Sequence, residues 1–139
     1  MYATHQEGSL ELEVGDWKDN RIYRAAAIDH GLFSFVDTKL EQWPVILITN
    51  PKPVLFSMPG YEPLHRIRRS THIRVLIFSP NKLTYAQFRI DNSTDWLNLT
   101  RVGNTSLYVH EWQPSLYKKG LHTIQVEASV SLCFFKTSF

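Results

Sequence analysis

Gly120-Leu121-His122-Thr123-Ile124-Gln125-Val126-Glu127-Ala128 sets Ile124, Val126 and Ala128 on one face of an extended chain and Thr123, Gln125 and Glu127 on the other. His122 falls in phase with the apolar side, which reads as a packed or hydrogen-bonded strand histidine rather than a ligand. Further extended runs lie upstream, an unbroken apolar one at residues 45–49 and others at 72–78, 84–90, 96–102 and 106–112. Within 84–90, Ala86, Phe88 and Ile90 oppose Tyr85, Gln87 and Arg89. Asn50-Pro51-Lys52-Pro53 and Ser79-Pro80-Asn81 punctuate the runs, and Gly103-Asn104 reads as a two-residue hairpin. Strands at this spacing predict an all-β protein whose main unit is an immunoglobulin-like β-sandwich. Residues 73–78, 86–90, 107–109 and 124–128 are expected to supply its core, with Trp96 and Trp112 as large packing residues.

Upstream of Trp43-Pro44 the strands are shorter. Ser9-Leu10-Glu11-Leu12-Glu13-Val14 alternates and ends at Gly15-Asp16. Residues 22–28 and 32–36 are divided by Asp29-His30-Gly31, where Gly31 can take the positive φ of a tight hairpin. These three runs predict a short β-meander, and a domain boundary near residue 42 separates residues 1–42 from a sandwich over 43–139. The last ten residues are atypical. Val130-Ser131-Leu132-Cys133-Phe134-Phe135 contains no Gly, Asn, Asp or Pro to turn the chain, so an apolar sheet edge is expected to stay uncovered.

Composition narrows the functional classes. The 139 residues carry 15 Lys+Arg against 13 Asp+Glu, a formal charge of +2, which is too small to imply a nucleic-acid surface. With 43% hydrophobic residues the chain can bury a core, and its single cysteine, Cys133, excludes an intradomain disulfide or a Cys-based zinc cluster. The longest apolar stretches, 45–48 and 75–78, fall far short of the ~20 residues that span a bilayer, so the chain alone is expected to be soluble. Met1-Tyr2-Ala3-Thr4-His5-Gln6-Glu7-Gly8 lacks the basic start and apolar segment of a secretory leader. That leaves a cytosolic protein or a piece of a longer chain whose targeting signal lies upstream.

Three glycosylation acceptors cluster within fifteen residues: Asn92-Ser93-Thr94, Asn98-Leu99-Thr100 and Asn104-Thr105-Ser106. Asn, Ser and Thr also populate turns for conformational reasons alone, so the cluster is either turn chemistry or a lumenal glycosylation signal. The basic stretch His65-Arg66-Ile67-Arg68-Arg69-Ser70-Thr71-His72-Ile73-Arg74 could hold a phosphate or an acidic headgroup. Without interleaved aromatics it reads more simply as a solvated loop and strand entry. Asp16, Asp19, Asp29, His30 and Asp37 match no metal-ligand spacing, His5 and His110 have no partner at ligand spacing, and Cys133 has no neighbouring base. No catalytic, cofactor or metal residue is therefore expected.

Two stretches carry a resemblance: residues 8–21, Gly-Ser-Leu-Glu-Leu-Glu-Val-Gly-Asp-Trp-Lys-Asp-Asn-Arg, and residues 43–52, Trp-Pro-Val-Ile-Leu-Ile-Thr-Asn-Pro-Lys. With Phe33-Ser34-Phe35-Val36-Asp37 and Ser70-Thr71-His72-Ile73-Arg74-Val75, they resemble the transmembrane protein 62 family over residues 1 to about 129. The resemblance implies a calcineurin-like metallophosphoesterase domain, then an immunoglobulin-like domain, then a hydrophobic region that spans the membrane. Residues 1–42 would be the phosphoesterase domain's last strands. Two divalent metals would belong to the upstream domain, whose His-containing motifs are absent here. Gly15-Asp16 alone transfers no ligand, because it ends a strand in the wrong segment. The implied partners are the upstream domain and the downstream membrane region, and the implied setting is a membrane glycoprotein with this region lumenal or extracellular. Beside a non-catalytic spacer or docking module stand two alternatives: phosphoesterase activity residing in the parent, and peptide binding by strand addition to an open sheet edge.

Overall fold

The computed structural model describes residues 1–130 and the backbone of the strand 133–138. The elements run β1 (Tyr2–Thr4), β2 (Leu10–Leu12), a one-turn helix α1 (Trp17–Asn20), β3 (Ile22–Asp29), β4 (Leu32–Lys39), β5 (Val45–Asn50) and a second one-turn helix α2 (His65–Arg68). They continue through β6 (His72–Phe78), β7 (Leu83–Ile90), β8 (Leu97–Asn98), β9 (Thr100–Arg101), β10 (Leu107–Glu111), β11 (Ile124–Val130) and β12 (Cys133–Ser138). Single 3-10 turns occupy Val54–Phe56 and Pro114–Tyr117.

Two four-stranded antiparallel sheets, ordered β5-β6-β10-β9 and β12-β11-β7-β8, form the sandwich. Alternation decides which side chains meet between them. Ile46, Ile48, Ile73, Val75 and Ile77 from the first sheet pack with Ala86, Phe88, Val126 and Ala128 from the second. Trp112 packs partly buried against this core. Trp96 stands outside it, where the Arg89 guanidinium lies 4.7 Å over its ring.

Residues 96–102, expected as one strand, are two. β8 pairs with β7 and β9 with β10, so the chain changes sheets at Leu99. The Leu99 side chain is buried in the core and its N–H donates to the Ala86 carbonyl at 2.9 Å. The expected two-residue hairpin at Gly103-Asn104 is longer, because Val102 N–H bonds the Leu107 carbonyl at 2.9 Å and leaves residues 103–106 as the loop. β11 begins at Ile124 rather than at Gly120, so His122 lies in the connecting segment before the strand and not on it. Gly120, at φ 82°, and the side-chain bonds of His122 hold those residues off the ladder.

The N-terminal strands are two hairpins rather than one meander: β2 pairs with β1, and β3 with β4. Asp16 caps α1, accepting from the N–H groups of Lys18 and Asp19, and Arg21 follows in the left-handed region. This turn redirects the chain between β2 and β3. His30 and Gly31, both at positive φ, make the two-residue loop of the β3–β4 hairpin.

The uncovered edge is also corrected. β12 returns antiparallel on β11 from Val130↔Cys133 to Gln125↔Ser138, so backbone pairing prevails over the lack of conventional turn residues. Ser131, Leu132 and the side chain of Cys133 lie outside the described residues.

Candidate functional site

β5 is buried along all six residues. Ile46 and Ile48 face the sandwich core, while Val45, Leu47 and Thr49 point the other way and are just as buried. What covers that second face is the β3–β4 hairpin, which contributes the buried Leu32 and Ser34. The hairpin's opposite face carries Phe33 and Phe35. The Phe56 ring lies 4.7 Å from Phe35, the Arg24 guanidinium is 4.3 Å over Phe35, and Tyr2 meets Phe56 edge-on at 5.4 Å. The hairpin is thus clasped between β5 and the loop that follows it.

Two carboxylates fasten this junction. Asp29, at the hairpin tip, accepts from Arg74 Nε on β6 at 2.6 Å and from the Thr49 hydroxyl on β5 at 2.8 Å, and His30 Nδ1 lies 2.6 Å from its other oxygen. Burial pushes the Asp29 carboxyl up, but these partners together outweigh it and hold the group below the usual carboxylate range. Glu62 reaches the hairpin from the loop. Its carboxylate accepts from Lys52 Nζ at 2.5 and 2.7 Å, from Phe33 N–H at 2.9 Å and from Met58 N–H at 2.9 Å. Both side chains are almost sealed from solvent, Lys52 at 1% and Glu62 at 4% exposure. Burial raises Glu62 here too, and the Lys52 ammonium with the two N–H donors brings it below its ordinary value.

The residues weighed for metal or acid–base chemistry are thereby accounted for. Asp37 binds the Arg24 guanidinium through both oxygens at 2.7 and 2.8 Å, and this contact raises Arg24 further. Asp16 is a helix cap, Asp19 lies in the capped turn, and His5 meets Glu11 at 3.0 Å. His110 sits against the Phe88 ring, with Nδ1 2.9 Å from the Asn98 carbonyl. His122 Nδ1 lies 2.6 Å from Asp91 and Nε2 2.8 Å from the Lys119 carbonyl; the Asp91 contact raises the imidazole and lowers the carboxylate. Among the described residues no three His, Cys, Asp or Glu side chains converge as a metal site would require.

The basic stretch divides. Arg74 is held by Asp29, Arg66 donates to the His30 carbonyl at 2.6 Å, and Arg68 and Arg69 are exposed. Asn92, Asn98 and Asn104 are all exposed. Sequence reasoning missed the Lys52–Glu62 pair altogether. Both residues lie in aperiodic loop, and nothing local announces that two charges ten positions apart will be buried together.

Comparison with known proteins agrees with this architecture. Residues 40–131 match the family model described as the TMEM62 Ig-like domain. The chain is 47% identical over 128 residues to transmembrane protein 62 of Mus musculus, covering 91% of this chain and 19% of that protein. It is 35% identical over 99 residues to a putative metallophosphoesterase of Arabidopsis thaliana, covering 64% of this chain and 13% of that one. The chain therefore spans less than a fifth of the length of these curated relatives. No solved structure matches. Among the described residues no helix is long and apolar enough to cross a membrane.

Proposed function

The chain belongs to the transmembrane protein 62 family, and from that membership we propose that it is a non-catalytic coupling module of a membrane-anchored, metallophosphoesterase-like protein. In this reading residues 1–42 are the last strands of the phosphoesterase domain. Residues 43–139 are the immunoglobulin-like domain that holds it away from the membrane, on the lumenal or extracellular side. The observation that carries the reading is β5, which serves two cores at once: the sandwich interior through Ile46 and Ile48, and the hairpin through Val45, Leu47 and Thr49. A flexible tether would leave that second face wet.

The chemistry of the junction supports a mechanical role. Asp29, Asp37 and Glu62 are each committed to an arginine or lysine, so these carboxylates brace the hairpin instead of activating water. Phosphate-ester hydrolysis, suggested by the Arabidopsis relative's name, is assigned to that upstream domain of the parent.

The isolated chain should give no metal-dependent turnover of a generic phosphate ester in the presence of manganese. Turnover that rises with manganese and disappears with a chelator would overturn the non-catalytic assignment.

A further inference from the structure

The sequon cluster lies outside the coupling junction, and the fold gives it a common location. β8 is the outer strand of one sheet and β9 the outer strand of the other, so the segment that changes sheets at Leu99 forms the open side of the sandwich. Asn98 sits on it, and Asn92 and Asn104 lie in the turns that enter and leave it. Asp91 and Asn92, at φ 55° and 54°, make a primed turn closed by Ser93 N–H on the Ile90 carbonyl at 3.1 Å. Asp91 is anchored to Thr123 N–H at 3.0 Å and to His122, which leaves Asn92 at the tip of this turn. Asn98 lies on β8 directly before the buried Leu99, and Asn104 lies in the loop between β9 and β10 at the opposite end of the sandwich from Asn92.

None of the three carboxamides hydrogen-bonds another described residue. Their bonds run through backbone atoms only, the Asn98 carbonyl to His110 and the Asn104 carbonyl to Arg101. The buried Asn50 is a useful contrast. Its amide donates to Ser70 Oγ and the His72 carbonyl, and Pro51 in the following position excludes it as an acceptor. Thr94 and Thr100, which supply two of the sequon hydroxyls, are exposed as well. β8 and β9 close their sheets on this side as strands of only two residues each, which limits pairing with another chain, and the exposed asparagines beside them leave room for further cover. Bulky, solubilising glycans supply such cover.

We propose that Asn92, Asn98 and Asn104 carry N-linked glycans, forming a row that covers the β8–β9 edge on the side remote from β5 and its hairpin. The row rests on the lumenal or extracellular placement proposed above, whereas the coupling role of β3–β4 does not depend on it and would survive its absence.

Site occupancy decides it. The protein recovered from the cells that make it is treated with peptide-N-glycosidase in heavy-oxygen water and digested, so that each glycosylated asparagine becomes a mass-labelled aspartate. Label at two or all three positions is the expected result. Recovery of these peptides with label at one or none overturns the proposal. In the same cells Thr100→Ala should remove one glycan's step in gel mobility while Asn98 is retained, and Thr100→Ser should keep it. Unchanged mobility of the Thr100→Ala form would rule Asn98 out as an acceptor.

Discussion

Lys52→Met is expected to destabilise the folded chain by ~3–5 kcal/mol, because it strands the Glu62 carboxylate where both partners were nearly sealed from water. The two backbone donors from Phe33 and Met58 remain, but they do not neutralise the charge. The double variant Lys52→Met/Glu62→Gln should recover part of the loss, since it buries no charge and the new amide oxygen can still accept one of those N–H groups. The pH dependence fixes the sign. Burial raises the folded Glu62 and its donors lower it more, leaving it below its unfolded value of about 4.3. Its contribution is complete above that value and is lost as pH falls through the depressed one. Without Lys52 burial prevails and lifts the folded Glu62 above its unfolded value, so the single variant's deficit should be largest at neutral pH and shrink as pH falls through that raised value, opposite in sign to the parent's dependence. Urea unfolding at a series of pH values measures both effects. Equal midpoints for parent and single variant at neutral pH would mean that the pair does not brace the hairpin.

Phe88→Ala should have a comparable effect for a different reason. Phe88 is 1% exposed, pairs with Val126 across one side and Leu97 across the other, and touches His110 of the facing sheet with ring centroids 4.9 Å apart. Removing the ring leaves a cavity that two hydrogen-bonded sheets cannot collapse to fill, at a cost of ~3–5 kcal/mol. At roughly 3–4 °C per kcal/mol for a chain of this size, the melting temperature should drop by about 10 °C or more. Trp96→Ala should lose far less despite the larger side chain, because Trp96 packs under Arg89 outside the core. Similar losses at the two positions would contradict the assignment of the core.

The difference between Phe88 and Trp96 shows what the sequence makes legible. Alternation is a property of neighbouring side chains, so β6, β7 and the apolar face of 124–128 can be read from it directly, while 45–49 declares itself by an unbroken apolar run. Size alone does not say which large aromatic is inside. Nor does alternation say to which sheet a residue bonds: 96–102 keeps one pattern while β8 and β9 join different ladders. The place of His122 outside the strand is hidden for a related reason. Its side chain is in phase with Ile124 and Val126, but a bond to Asp91, thirty-one positions away, keeps it off the strand. β12 was missed because pairing with β11 needs no glycine or proline to be favourable over six residues. At the junction, Asp29 and Arg74 could each be seen as charged residues beside turns or strands, whereas their meeting across 45 residues is a tertiary fact.

The central claim is that the β3–β4 hairpin and the sandwich behave as one rigid body. Native-state hydrogen exchange of the intact chain, resolved by residue, tests it most directly. The amides in the ladder from Ala25 to Phe35 should exchange with an opening free energy close to that of β6, and should lose protection together with it as denaturant is added. Hairpin amides that exchange as fast as an unstructured peptide, while β6 stays protected, would contradict it.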